Sequence, residues 1–176
     1  LLKDLPRIDP AAQARARDRQ GRLTKPPGSL GRLEEIAAFL AGWQNDPIRA
    51  EKIQVVLFAG NHGVTRLGVS PYPPDVTAQM VANFQAGGAA ISTLARAFGL
   101  SLSVFALALE RPTGDISVED AMSEQETLDA LNAGAQAVAA ETDILVVGEM
   151  GIGNTTIAAA LCAAALGGTG ADWTGA

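Results

Sequence analysis

The chain has 176 residues, enough for one domain with a real core. Formal net charge is -6 and unevenly spread: residues 1–52 carry ten Lys and Arg against seven Asp and Glu, residues 53–176 three against twelve. The acidic body argues against nucleic acid as a partner, and a single cysteine, Cys162, excludes an internal disulfide and a thiolate zinc cluster.

Asp9 followed by Pro10 predicts the start of a polar surface helix through "AAQARARDRQ". "TKPPGS" at 24–29 cannot be helical and predicts an ordered loop. A second helix follows, with Leu30, Leu33, Ile36, Ala37 and Leu40 at helical spacing as its buried stripe. Residues 1–52 thus form an N-terminal helical extension. The N-terminus lacks the long apolar core of a signal peptide, and the longest apolar run, 157–166, is about half a membrane span. A soluble cytoplasmic protein is expected.

The core, residues 53–176, opens on "IQVVLFAG" at 53–60, a β-branched run ending in glycine, as expected for a strand buried on both faces. The loop "NHGVTRLGVSPYPP" comes next. From Asp75 the pattern turns helical, breaks at Gly87 and Gly88, and resumes as "AAISTLARAF". "SLSVFALAL" at 101–109 predicts the second strand. Ser123 and Glu126 then form a capping box ahead of Leu128, Leu131, Ala135 and Val138, and "DILVVG" predicts a third strand. The succession calls for an α/β fold, a doubly wound (Rossmann-like) parallel sheet. Three strands followed by "GGTGADWTGA", with no predicted closing element, read as truncated at the C-terminus. Cys162 within "AAALCAAAL" is expected to be a small buried hydrophobe.

Ligands of such sheets sit beyond the carboxyl ends of the strands. The stretch "GEMGIGNTT" at 148–156 leads from strand to helix and has the glycine spacing and threonine of a phosphate loop, with Asn154 where the lysine would be. Without that lysine it suits a single phosphate held by backbone N–H groups and hydroxyls. Glu149 would repel a polyanion but suits a ligand with a cationic or proton-losing part. A nucleoside monophosphate with a charged or protic ring fits both. The competing reading is a turn that only packs helix on strand, with Glu149 solvated. Across the crevice, Tyr72 with Pro71, Pro73 and Pro74 forms a stiff wall for a flat ring, closed by Gln79 or Met80. His62, the sole histidine, has no sequence partner for nucleophilic catalysis and is expected to tie its own turn together rather than act as a general base.

"LTKPPGSLGRLE" at 23–34, "FAGNHGV" at 58–64 with "GVSPYPPDVTAQM" at 68–80, and "GEMGIGNTT" at 148–156 together resemble the nicotinate-nucleotide:dimethylbenzimidazole phosphoribosyltransferase family. The resemblance covers essentially the whole chain and the N-terminal half of a typical member. It implies transfer of the phosphoribosyl group of nicotinate mononucleotide to 5,6-dimethylbenzimidazole for the lower ligand of cobalamin, in a homodimer, with neither cofactor nor metal. Gly151, Gly153, Asn154, Thr155 and Thr156 would then belong to the phosphate cradle, and Tyr72, Pro73, Met80 and Met150 to the benzimidazole pocket. Glu149 would lie near the acceptor and help remove its ring proton, while the family's principal base lies beyond residue 176. Asn61 departs from the aspartate usual before His-Gly-Val. The alternatives are a related transferase with another base or a phenolic acceptor, and a non-catalytic nucleotide-binding fragment.

Overall fold

Asp9 accepts hydrogen bonds from the N–H groups of Ala11 and Ala12 and so caps helix α1 (Pro10–Arg22). The loop after α1 is ordered by Glu34, which receives the Lys25 ammonium at 2.6 Å and the Leu30 N–H at 3.2 Å. The Lys25 contact is the main cause that holds the Glu34 carboxyl below its usual range. Helix α2 (Arg32–Gln44) packs on α1 through small residues. Ala12, Ala38, Ala41 and Gly42 are buried, and a β-carbon on Gly42 would meet Gln13 and Ile8 at 2.6 Å. This corrects the expected stripe: Leu30, Leu33 and Ile36 are exposed. Close approach of two helices selects the side where backbones can meet, which here is the Ala and Gly side, and leaves the bulky residues opposite.

The structure, a computed structural model, describes residues 5–45 and 47–175. It divides into two compact units, Leu1–Lys52 and Ile53–Ala176. Residues 1–4 and Asp46 of the expected extension, and Ala176 of the expected core, lie outside the described residues.

The second unit is an α/β fold, a three-stranded parallel sheet with helices on both sides. Strand β1 (Ile53–Ala59) is central, β2 (Ser101–Ala106) lies on one side and β3 (Ile144–Met150) on the other. Val55, Val56, Leu57 and Ala59 are buried, as a strand covered on both faces requires. Leu57 and Ala59 join Val81, Phe84 and Ala89 in a core cluster. Phe58 stacks on Phe105 at 5.2 Å.

Helices α3 (Asp75–Ala86) and α4 (Ala90–Ala97) connect β1 to β2. The loop before α3 also holds a short 3-10 turn, Gly63–Leu67, that composition did not reveal. Helix α5 (Glu124–Ala137) connects β2 to β3 and begins with the Ser123–Glu126 capping box. Its far end is pinned by Gln54 of β1. That side-chain amide donates to the Ala137 carbonyl at 2.7 Å and accepts from the Ala139 N–H and the Thr142 hydroxyl, each at 3.0 Å.

Helix α6 (Asn154–Leu166) has no buried residue, and Cys162 is half-buried rather than buried. Among the described residues no layer covers its alanine-rich outer side, so its small residues face solvent. The glycine-rich tail holds one short helical turn, α7 (Gly170–Trp173), capped by Thr169 and Asp172, with the Trp173 indole N–H donating to the Gly167 carbonyl at 2.9 Å. No helix among the described residues is long and apolar enough to cross a membrane.

Candidate functional site

Strands β2 and β3 flank β1 on opposite sides, so the connection that leaves β1 turns toward β2 and the space between the carboxyl ends of β1 and β3 is left open. Two segments meet there. One follows β1 and the other follows β3. Gly60 N–H donates to the Met150 carbonyl at 3.0 Å, and the Ile152 N–H donates to the hydroxyl of Thr77, a fully buried residue in the first turn of α3, at 3.2 Å.

Part of the expected loop is strand. Gly148, Glu149 and Met150 are the last three residues of β3, in register with Leu57, Phe58 and Ala59 of β1. The true turn is only Gly151–Gly153. Gly153 is the N-cap of α6, with φ 89° and ψ 0°, and Asn154, Thr155 and Thr156 form its first turn. Asn154 N–H is taken by the Gly151 carbonyl and Thr156 N–H by the Gly153 carbonyl. The Gly153 and Thr155 N–H groups have no hydrogen bond to another described residue. Donors left open at the positive end of a helix can receive an anion.

Polar side chains complete the corner. The Asn154 amide nitrogen donates to Glu149, and Asn154 Oδ1 lies 2.5 Å from His62 Nε2. His62 Nδ1 faces the Thr113 hydroxyl at 3.4 Å. His62 therefore does not tie its own turn alone. It joins the segments after all three strands, which the isolated bridge between His62 and Thr113 also marks. Sequence reasoning missed this role, whose one signal is that His62 follows β1 at nearly the interval by which Asn154 follows β3.

The segment after β2 is fastened to the His62 turn from below. Gly63 N–H donates to the Thr113 carbonyl at 2.9 Å, Thr113 N–H to the Asn61 carbonyl at 3.1 Å, and the Asn61 amide to the Leu109 carbonyl at 3.0 Å. That last bond needs a donor at position 61, which an ionised aspartate lacks. Buried Asp115 accepts the Ser117 hydroxyl at 2.7 Å and the Ser117 N–H at 3.0 Å. These two bonds, with a smaller share from the Arg66 charge, hold its carboxyl below the usual aspartate range.

The four residues expected to line a benzimidazole pocket fall into two groups. Met80 and Met150 pack against the same core cluster. Tyr72, 63% exposed, and Pro73 face solvent. Two hollows are formed elsewhere. One, about 350 Å³, lies in the N-terminal unit beside Ala12, Arg15 and Arg19. The other, about 400 Å³, lies beside Phe84, Ser92 and Leu102. Neither is lined by any residue of the corner described above. Among the described residues no group of three or more His, Cys, Asp or Glu is placed to hold a metal ion.

The sequence matches a family described as phosphoribosyltransferase over residues 5–176. Nicotinate-nucleotide–dimethylbenzimidazole phosphoribosyltransferases of Sinorhizobium medicae and Roseobacter denitrificans are 56% and 57% identical over 175 and 176 residues, in each case 99% of this chain and 52% of the relative. A crystal structure of the enzyme so named from Thermus thermophilus superposes with a TM-score of 0.79 at 41% identity, over 91% of this chain and 55% of that one. A second, of CobT from the same organism, gives 0.82 at 40% identity, over 94% and 56%. The chain spans about half the length of the curated relatives it matches. With a family model matched over residues 5–176 and solved relatives superposing at about 40% identity, the chain belongs to the phosphoribosyltransferase family of the nicotinate-nucleotide–dimethylbenzimidazole type.

Proposed function

We propose that this chain carries the nucleotide corner of an enzyme that moves the phosphoribosyl group of nicotinate mononucleotide to 5,6-dimethylbenzimidazole, for the lower ligand of cobalamin. The observation that supports it most is the junction of Glu149, Asn154 and His62 beside the open N–H groups of α6. It combines an anion seat with an adjacent carboxylate and holds no lysine for a longer phosphate chain. The donor needs both features, because it has one phosphate and a cationic pyridinium leaving group.

The phosphate would rest on Gly151, Gly153, Thr155 and Thr156, with Asn154 shaping the seat. The bond from the anomeric carbon to the pyridinium nitrogen breaks and its electron pair leaves with nicotinate. The unprotonated ring nitrogen of the acceptor forms the new bond, and the proton on its other ring nitrogen passes toward Glu149. Orientation of the two substrates across the corner supplies much of the acceleration. Tyr72, Pro73, Met80 and Met150 would belong to the benzimidazole pocket. We place the protein in the cytoplasm as a homodimer, with residues 1–52 as a helical extension and 53–176 as the nucleotide-binding core.

The test mixes the protein with nicotinate mononucleotide and dimethylbenzimidazole and measures released nicotinate by chromatography, for this chain and for any longer product of its gene. Glu149→Gln should slow release while leaving donor affinity within about twofold. Failure of every form to release nicotinate rejects the reading.

A further inference from the structure

We propose that His62 is a positioning residue: its Nε2–H fixes which end of the Asn154 amide faces Glu149, and so keeps the Glu149 carboxylate supplied with a donor. The role in turnover rests on the transferase reading above. The geometry does not.

The two ends of an asparagine amide have nearly the same shape, so its orientation is set by its partners. An ionised carboxylate only accepts. Asn154 must therefore present Nδ2 to Glu149, which leaves Oδ1 needing a donor on its other side. The atom there is His62 Nε2, at 2.5 Å. The ring must then carry a proton on Nε2, and its Nδ1 can accept from the Thr113 hydroxyl at 3.4 Å. The donors point the same way, from His62 through Asn154 to Glu149.

The seat of the amide is tightly built. A β-carbon on Gly151 would stand 2.2 Å from Asn154 Oδ1, so the amide fills the space that a side chain at 151 would take. Without the imidazole, Oδ1 loses its donor, and only the contact with the carboxylate is left to hold the amide in this orientation.

Because His62 is the only histidine, ring-nitrogen NMR of histidine-labelled protein reads its tautomer without assignment. The neutral ring should be the Nε2–H form, and Asn154→Leu, which removes the acceptor, should produce a mixture of tautomers. An Nδ1–H ring in the unaltered protein, or an Nε2–H ring indifferent to Asn154→Leu, overturns the proposal.

The kinetic arm uses whichever form of the protein releases nicotinate. His62→Phe should lower kcat on the order of tenfold to a hundredfold with KM for nicotinate mononucleotide nearly unchanged. His62→Gln, whose amide can donate to Asn154, should recover part of the loss. A change confined to KM, or no recovery with glutamine, also overturns it. If no form releases nicotinate, the transferase reading falls and the tautomer alone decides the role of His62.

Discussion

Gly151 meets Gly60 backbone to backbone: a β-carbon on Gly151 would lie 2.4 Å from the Gly60 carbonyl oxygen. The oxygen belongs to main chain that is itself held by the Gly60–Met150 hydrogen bond, so it cannot swing aside as a side chain would. Gly151→Ala should cost about 1–3 kcal/mol, the usual range for overpacking, and should displace Asn154 as well. Urea unfolding measures the first effect. Wild-type stability in this variant would mean that the two turns separate easily.

Gly153 is demanding for a different reason. Its φ of 89° is rarely adopted by L residues, and its β-carbon would stand 3.0 Å from Thr65 Cγ2. Gly153→Val adds a β-branched side chain in a left-handed conformation, at a cost of about 1–3 kcal/mol. It also blocks close approach of a phosphate to the N-terminus of α6. Calorimetry should detect no binding of nicotinate mononucleotide to a variant that circular dichroism shows to be folded. Gly153→Asn, which tolerates this backbone better, should bind weakly. Normal binding by Gly153→Val would remove the phosphate from this corner.

Thr77 is fully buried and its hydroxyl accepts the Ile152 N–H. Thr77→Val keeps the shape but strands that N–H in a buried position, which costs about 1–3 kcal/mol. Thr77→Ser retains the acceptor and loses only a methyl group. Serine should therefore be the milder substitution in denaturant unfolding, and the reverse order would show that packing matters more than the bond.

Asp115 links acidity to the turn beneath His62. Its folded carboxyl is held below the usual aspartate range by Ser117 and, less, by Arg66, so the unfolded chain takes up the proton first as pH falls. The stabilisation is complete above about pH 4 and disappears as pH drops through the lower folded value. Glu34, Glu126 and Asp172 are lowered likewise and add slopes of the same sign. Asp115→Asn should flatten the fall of melting temperature in acid without abolishing it. An unchanged slope would show that Asp115 is not coupled to folding.

Strand β1, helices α3 and α5 and the Ser123 cap were legible because each carries its signal locally, in an apolar run, a glycine stop or a pair of capping side chains. The packed side of α2 was not. Periodicity identifies an apolar side, whereas close helix packing chose Ala38, Ala41 and Gly42. Glu149 reads as loop by composition, yet its backbone is paired with Phe58, a partner that only the strand order reveals. The contact of His62 with Asn154 spans 92 residues and follows from that same order. The glycine turn before α6 was readable from spacing, since the turn is local, but the donor that orients Asn154 was not.

Among the described residues strand β3 pairs only with β1, and along it Leu145, Val146 and Val147 are exposed, Val147 by 64%. A hydrophobic strand edge templates the addition of further strands. At the concentrations of a crystallisation drop or an overexpressing cell, a margin of this kind left uncovered favours strand addition between copies, which turbidity would report.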